Sequence, residues 1–318
     1  MNLKYTVDKE TTGKTVKYIL KKQLNLSERL IKKLKHQGKI LCNGHPVYVN
    51  ALVCENDIIE ADLDFDESGI FLEPEDIPID IIYEDEFLIA LNKQPGIVVH
   101  PTCSHPSGTL ANAVSFHLQK KGIVKKVRPV IRLDRDTSGI IIFAKNPYTQ
   151  EILIQQMNDK TFLKEYIGIV HNVLENDNGT IDLPIARKPG SIMLRHISPD
   201  GDNAVTHYTV LERLNNATLV KFRLETGRTH QIRVHCQAIG HPLVGDTLYP
   251  FTDTPYSLLG NKSRIPQSNI PPVTCEILGR QALHSQRAVF VHPFTKKTLE
   301  ITAPIPDDMK SVLEILRK

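Results

Sequence analysis

The chain has 318 residues, about twice the ~150 of an average domain, and its size allows a sizeable buried core. Hydrophobic residues make up 41% and charged residues 24%, an ordinary globular composition that excludes collagen, coiled coil and wholesale disorder, and no run of ~18 apolar residues marks a membrane span. The formal charge of +3 hides a strong segregation: residues 14 to 45 carry nine Lys or Arg against one acid, whereas residues 55 to 86 carry fourteen acids and no Lys or Arg. A basic module, an acidic connector and a larger, mildly basic domain are expected, with nucleic acid as the leading partner class. The first residues, MNLKYTVDKETTGK, lack the apolar core of a secretory signal. Five scattered cysteines, an odd number, suit reduced thiols, so a cytoplasmic location is expected.

In chain order, KTVKYILKKQL places Val16, Ile19, Leu20 and Leu24 near helical spacing and leaves Lys14, Lys17, Lys21 and Lys22 outward. A second helix is predicted from an N-cap at Ser27, with Glu28 at its positive end and a stop at Gly38. KILCNGHPVYVN then sets Asn43-Gly44 between two apolar runs, a hairpin signal because both turn residues need positive φ. Arg29, Lys32, Lys33, Lys35 and Lys39 could be a solvated helix face, but the local charge excess favours an RNA-binding surface. This segment resembles the small RNA-binding domain first described in a small-subunit ribosomal protein, the S-four or alpha-L type, in its SERLIKKL and hairpin pattern. Residues 1–62 are assigned to that domain and 63–78 to an acidic linker.

From 79 to 318 the pattern is mainly short β runs: IDIIYED, FLIALNK, IIIFAKN, KEYIGIV, HYTVLE, TLVKFRLE, RAVFVHP and TLEITAP. Helices are predicted at 109–121, at 147–158 with Asn146 as cap and Pro147 in the first position, at 230–239, and after Asp307-Asp308. The expected fold is α+β: a mixed, largely antiparallel sheet with peripheral helices, preceded by the small α/β RNA-binding domain. Residues 250–280, with five prolines, read as a surface insertion.

Three clusters could carry chemistry. Arg132-Leu133-Asp134-Arg135-Asp136-Thr137-Ser138-Gly139 is rich in turn formers, yet two arginines around a carboxylate would also hold it ionised beside a polyanion. A glycosidase pair or a cation-binding DxD is disfavoured by the same arginines. Glu225 through His235 follows a strand and enters a helix whose N-terminus, near Arg228 and His230, could receive phosphate. Lys164-Glu165-Tyr166 lies on an alternating strand, with Lys164 and Tyr166 on one face. His230, His235 and Cys236 match no zinc spacing, and no phosphate loop, dinucleotide fingerprint or nucleophile elbow occurs, so neither metal nor cofactor is expected.

VIRLDRDTSGIIIFAK, with IIYEDEFLIALNKQPGIVVHP before it and LETGRTHQIRVHCQAIGHPLVGD after it, resembles the RluA family of pseudouridine synthases over roughly residues 80 to 305. The resemblance implies that Asp134 is the catalytic aspartate, Tyr166 the tyrosine stacked on the target base, Arg233 the arginine paired with the aspartate, and Arg132 the side chain that helps displace the base. Ile131 stands where many members have His, and Lys93-Gln94-Pro95 where many have Lys-Pro. A cofactor-free, monomeric cytoplasmic enzyme acting on large-subunit ribosomal RNA is the expectation. A transfer RNA enzyme and a non-catalytic RNA-binding or ribosome-assembly protein are the alternatives, and a metal-dependent nucleotide hydrolase using Asp134 and Asp136 is a third class. Lys188, Arg195 and His196, in ARKPGSIMLRH, are read either as a basic RNA-facing loop or as an unstructured surface loop.

Overall fold

The computed structural model describes residues 1–64, 72–103, 105–251 and 270–318. The basic module comprises β1 (Asn2–Thr6), α1 (Val16–Lys22), α2 (Glu28–His36), β2 (Ile40–Cys42), β3 (His45–Pro46) and β4 (Ile58–Asp62), with its sheet in the order β1-β4-β2-β3. Ser27 caps α2 by accepting the Leu30 N–H at 3.1 Å, and Leu30, Ile31 and Leu34 turn inward while Arg29, Lys32, Lys33 and Lys35 face solvent. Asn43 and Gly44 have φ of 52° and 81°, the conformation a two-residue hairpin turn requires.

The acidic run is not all connector. Its residues 58–62 form β4, which pairs on one side with β1 and on the other with β2, and buries Ile59 and Ala61. Two of its acids are neutralised within the module, Glu60 by Lys4 at 2.9 Å and Asp62 by Lys39 at 2.8 Å. Of the expected linker 63–78, residues 65–71 lie outside the described residues.

The larger domain carries β5 (Ile81–Glu84), β6 (Leu88–Lys93), α3 (Leu110–Lys120), β7 (Arg128–Pro129), β8 (Ser138–Ala144), α4 (Pro147–Asn158), β9 (Leu163–His171), β10 (Asn178–Asp182), β11 (Ile185–Arg187), β12 (Arg195–Ile197), β13 (Val205–Leu214), β14 (Ala217–Leu224), α5 (Gln231–Ala238), α6 (Pro272–Leu278), β15 (Leu283–Val291), β16 (Thr298–Thr302) and α7 (Asp307–Leu316). Its sheet runs β10-β13-β14-β9-β15-β8-β6-β5, with β7 added on β8 and β16 on β15. Pairing is antiparallel except between β15 and β8, where His284 meets Ser138 and Ser285 meets Gly139. This is the mixed, largely antiparallel α+β architecture anticipated.

Two readings are corrected. Residues 185–197 are a β-hairpin, β11 with β12, so Arg195 and His196 sit on a strand and not in an unstructured loop. Of the expected 250–280 insertion, residues 252–269 lie outside the described residues, while 272–278 form α6, whose Leu278 joins the core under α7.

The module shares a core with the larger domain. Tyr148 and Ile152, one helical turn apart on α4, pack among Leu20, Leu30 and Ile31, while Leu153 on the same helix faces the other core. Arg29 adds an ion pair to Glu151 at 3.3 Å.

Candidate active site

A cleft of about 1160 Å³ opens across the C-terminal part of β14, the start of β9 and the loop before β8, lined by Arg132, Asp134, Lys164, Tyr166, Arg228, His230 and Arg233 among others. The loop 130–137 leaves β7, turns at Asp134, where the Thr137 N–H returns to the Asp134 carbonyl at 3.2 Å, and enters β8. Gly139 has φ of 105°, and a Cβ there would stand 2.1 Å from the Ser285 carbonyl oxygen, so the close crossing of β8 and β15 requires glycine. That crossing brings the Asp134 loop beside Tyr166, whose cross-strand partner is Ser285.

Two buried cations hold the loop by its main chain. Lys93, 1% exposed, donates to the Arg135 carbonyl at 2.6 Å and to the Gln94 carbonyl at 2.8 Å; the Gly96 N–H donates to the same Arg135 carbonyl at 3.0 Å. Arg280 donates to the Asp136 carbonyl at 3.2 Å and is itself gripped by Asp308 at 2.7 and 3.1 Å. Burial pulls the Lys93 ammonium down to about 7, the nearby Asp136 and Asp134 charges offsetting part of that effect and Arg280 and Arg135 adding to it. The Asp136 carboxylate turns to Arg135, 3.0 Å away, so it does not pair with Asp134.

Asp134 faces α5. Its Oδ2 lies 3.4 Å from Arg233 Nη1 and its Oδ1 lies 3.8 Å from His230 Nε2. Arg233 is fixed from behind by Asp246, whose two oxygens each accept at 2.7 Å, and its guanidinium lies 5.1 Å from the centre of the Tyr249 ring. Burial alone would depress this guanidinium, but Asp246 and then Asp134 outweigh it and raise it. Asp246 also accepts the Leu248 and Tyr249 N–H groups, which ties it to the turn after α5. His230 occupies the left-handed region, φ 59°, and bonds through Nδ1 to the Tyr249 hydroxyl at 2.8 Å. Burial lowers its pKa against the opposing pull of Asp134.

Tyr166 is 6% exposed and packs with Phe222, Ile232 and Leu283. Burial, and then the Asp134 charge, push the phenol above its ordinary value of 10.0, so it keeps its proton through the neutral range. Arg132 stands exposed on the cleft wall. Arg228 lines the mouth, held by the Asn203 carbonyl at 3.0 Å and Asp202 at 3.6 Å. The structure thus gathers Asp134, Tyr166, Arg233, Arg132, Arg228 and His230 around one cleft. It leaves Arg29, Lys32, Lys33 and Lys35 on α2, outside the lining.

Asp246, Tyr249, Lys93 and Arg280 escaped the sequence reading. Asp246 closes the HPLVGD run and could have been flagged as a carboxylate two residues after an apolar pair; Lys93 stood in the noted Lys93-Gln94-Pro95 departure without a role, and nothing local marked Tyr249 or Arg280.

Comparison with known proteins identifies the family and the fold. Residues 87–238 match a family model described as RNA pseudouridylate synthase. A Bacillus subtilis protein named "Uncharacterized RNA pseudouridine synthase YjbO" is 39% identical over 92% of this chain and 96% of its own length. The "Ribosomal large subunit pseudouridine synthase D" of Vibrio parahaemolyticus is 38% identical over 92% of this chain and 88% of its own. The solved structure "Human RNA Pseudouridylate Synthase Domain Containing 4" superposes with a TM-score of 0.56 at 22% identity, covering 75% of this chain and 93% of that one, which shows a shared fold.

Proposed function

The chain belongs to the RluA family of RNA pseudouridine synthases, and we propose that it converts specific uridines of large-subunit ribosomal RNA to pseudouridine, with Asp134 as the catalytic group. One observation carries the assignment of the group: of the two carboxylates lining the cleft, Asp134 and Glu225, Asp134 has Arg233 at 3.4 Å, and Arg233 is itself immobilised by Asp246. The ribosomal substrate rests on the relatives named for that RNA and on the basic module.

The reaction breaks the bond from uracil N1 to C1′, turns the base while it stays bound, and joins C5 to C1′. Nothing leaves and no electrons are exchanged, so a positioned carboxylate suffices. Asp134 either attacks C1′ to give a covalent ester or removes the C2′ proton to give a glycal; Arg233 serves both routes by fixing the carboxylate. The target uridine must leave its stack, at a cost of a few kcal/mol. Stacking on the Tyr166 ring returns about 1–3 kcal/mol, and Arg132 occupies the space the base vacates. Burial favours the protonated phenol of Tyr166, which suits its ring to the stacking role; the C5 proton is lost once C5 has joined C1′, and N1 gains one.

The exposed Arg29, Lys32, Lys33 and Lys35 of α2 then bind RNA outside the cleft, and Arg228 and His230 flank the extruded nucleotide. We further infer a monomer, and a cytoplasmic location, the latter supported by five free thiols.

The test is pseudouridine mapping of total RNA, by carbodiimide-dependent reverse-transcription stops, in cells with and without this gene. Stops in large-subunit RNA that vanish with the gene and return with wild type but not with Asp134→Asn support the reading. Loss in transfer RNA alone would replace the substrate, and unchanged maps in every RNA would overturn the function.

A further inference from the structure

We propose that Lys164 is a phosphate-binding residue of the cleft, taking the backbone phosphodiester beside the uridine that stacks on Tyr166. The inference rests on the reading of the cleft as an RNA site and adds to it a ligand group that the catalytic set leaves without a counterpart.

Lys164 stands on β9 two residues before Tyr166, so both side chains leave the same face of the strand, about 7 Å apart along the chain. Its cross-strand partner on β15 is Ala288, which offers no charge. The stem is half-buried and lines the cleft, and the ammonium lies against Gly227, where a Cβ would stand 3.7 Å from Nζ. Gly227 belongs to the segment between β14 and α5, so the ammonium and the positive end of that helix address the same space.

Among the described residues Lys164 lacks a counter-charge, as do Arg132 and Arg223, but those two stand exposed on the cleft wall whereas Lys164 is half-buried. Most of the other cleft cations already have protein partners: Lys160 has Glu225, Arg228 has Asp202, Arg195 has the Met193 and Leu194 carbonyls, and Arg233 has Asp246 and Asp134. Among the described residues Lys164 has no hydrogen-bond acceptor and no carboxylate within ion-pair distance. Desolvation is the one influence on its titration, and it pulls the ammonium down. A desolvated, unpaired charge is costly, and a protein retains one where a ligand supplies the opposite charge. A phosphodiester is the anion that a flipped nucleotide carries next to its ribose, and Lys164 lines the same cleft as Tyr166 and Asp134, two residues from Tyr166 on β9.

The experiment uses the full chain carrying Asp134→Asn to prevent turnover, titrated by filter binding against in vitro transcribed large-subunit ribosomal RNA at a series of salt concentrations. Adding Lys164→Gln should lower the magnitude of the slope of log K against log salt by about 0.7, the value for one single-strand phosphate, while Lys164→Arg should keep it. In the otherwise wild-type enzyme, Lys164→Gln should raise the half-saturating RNA concentration and leave the single-turnover rate at saturation unchanged, since a phosphate contact is made equally before and at the transition state. The urea midpoint of the free protein should hold or rise with Lys164→Gln, because an uncompensated charge is removed; a fall in midpoint together with weaker binding would mean a structural role and overturn the proposal. An unchanged salt slope would overturn it as well. The two readings fail separately: an unchanged slope with pseudouridine still formed removes only the phosphate site, whereas a reduced slope on an RNA that never acquires pseudouridine removes only the isomerase.

Discussion

Replacing Asp246 by Asn tests whether Arg233 is held for Asp134 or merely near it. Asp246 is inaccessible in its side chain and meets Arg233, 5% exposed, through two charge-assisted bonds of 2.7 Å. Asn keeps the volume and one acceptor but loses the charge and one of the two bonds. A hydrogen bond to a charged group is worth about 1.5–3 kcal/mol, and removing one partner of a buried pair outright costs about 3–5 kcal/mol, so Asp246→Asn should cost about 2–3 kcal/mol and Asp246→Ala about 3–5 kcal/mol. The catalytic effect follows from geometry: with its rear anchor weakened and the charge there lost, the guanidinium shifts toward Asp134, the carboxylate at its front. A displacement of about 1 Å at a reacting group lowers rate by about 10²-fold. Single-turnover pseudouridine formation, measured at a temperature where urea titration shows both proteins folded, should therefore fall by about 10²-fold for Asp246→Asn with RNA affinity retained. Full turnover in a variant whose urea midpoint has moved would refute the claim that Asp246 positions the catalytic pair.

Lys93 gives a pH signature. Its folded value of about 7 lies below its ordinary 10.5, so between these limits the unfolded chain binds one proton more than the folded one, and stability rises with pH across that window. The full span corresponds to about 5 kcal/mol as an upper bound; urea midpoints of Lys93→Met should rise less steeply from pH 7 to 10 than those of wild type, and parallel curves would contradict the burial argument. Gly139→Ala should unfold more readily by at least about 2 kcal/mol and lose most activity, since its Cβ would meet the Ser285 carbonyl at 2.1 Å in a backbone with φ of 105°; a wild-type melting temperature would show that β8 and β15 can separate at no cost.

The sequence exposed what is governed by neighbours a few residues away. Ser27, Asn146 with Pro147, and Asn43-Gly44 each satisfy or bend the backbone within four residues of themselves, and each does in the fold what its local chemistry requires. Asp134, Tyr166 and Arg233 were legible through their motifs, and no spacing rule would have placed them in one cleft, because Asp134 and Arg233 are 99 residues apart. Asp246 was hidden for the same reason at shorter range: its role depends on the turn after α5 folding back behind Arg233. Residues 58–62 fell inside the expected domain of 1–62, but their acids hid the strand β4, whose Glu60 and Asp62 are neutralised by Lys4 and Lys39.

The placement of the module depends on a helix whose pattern looks ordinary. An amphipathic α4 reads as a helix with one buried side, yet Tyr148 and Ile152 enter the module's core while Leu153, the next residue round, enters the other. The helix is therefore a wedge between two cores, a property invisible to a periodicity that asks only whether a residue is buried and not against what. The functional consequence is geometric. β7 lies on the path from α4 to the active loop: Gln150 of α4 donates to the Pro129 carbonyl at 3.1 Å, and five residues further along the chain stands Asp134. A module docked on α4 thus stands in fixed relation to Asp134, and an RNA bound on α2, as proposed above, would present its uridine at a set distance from the cleft.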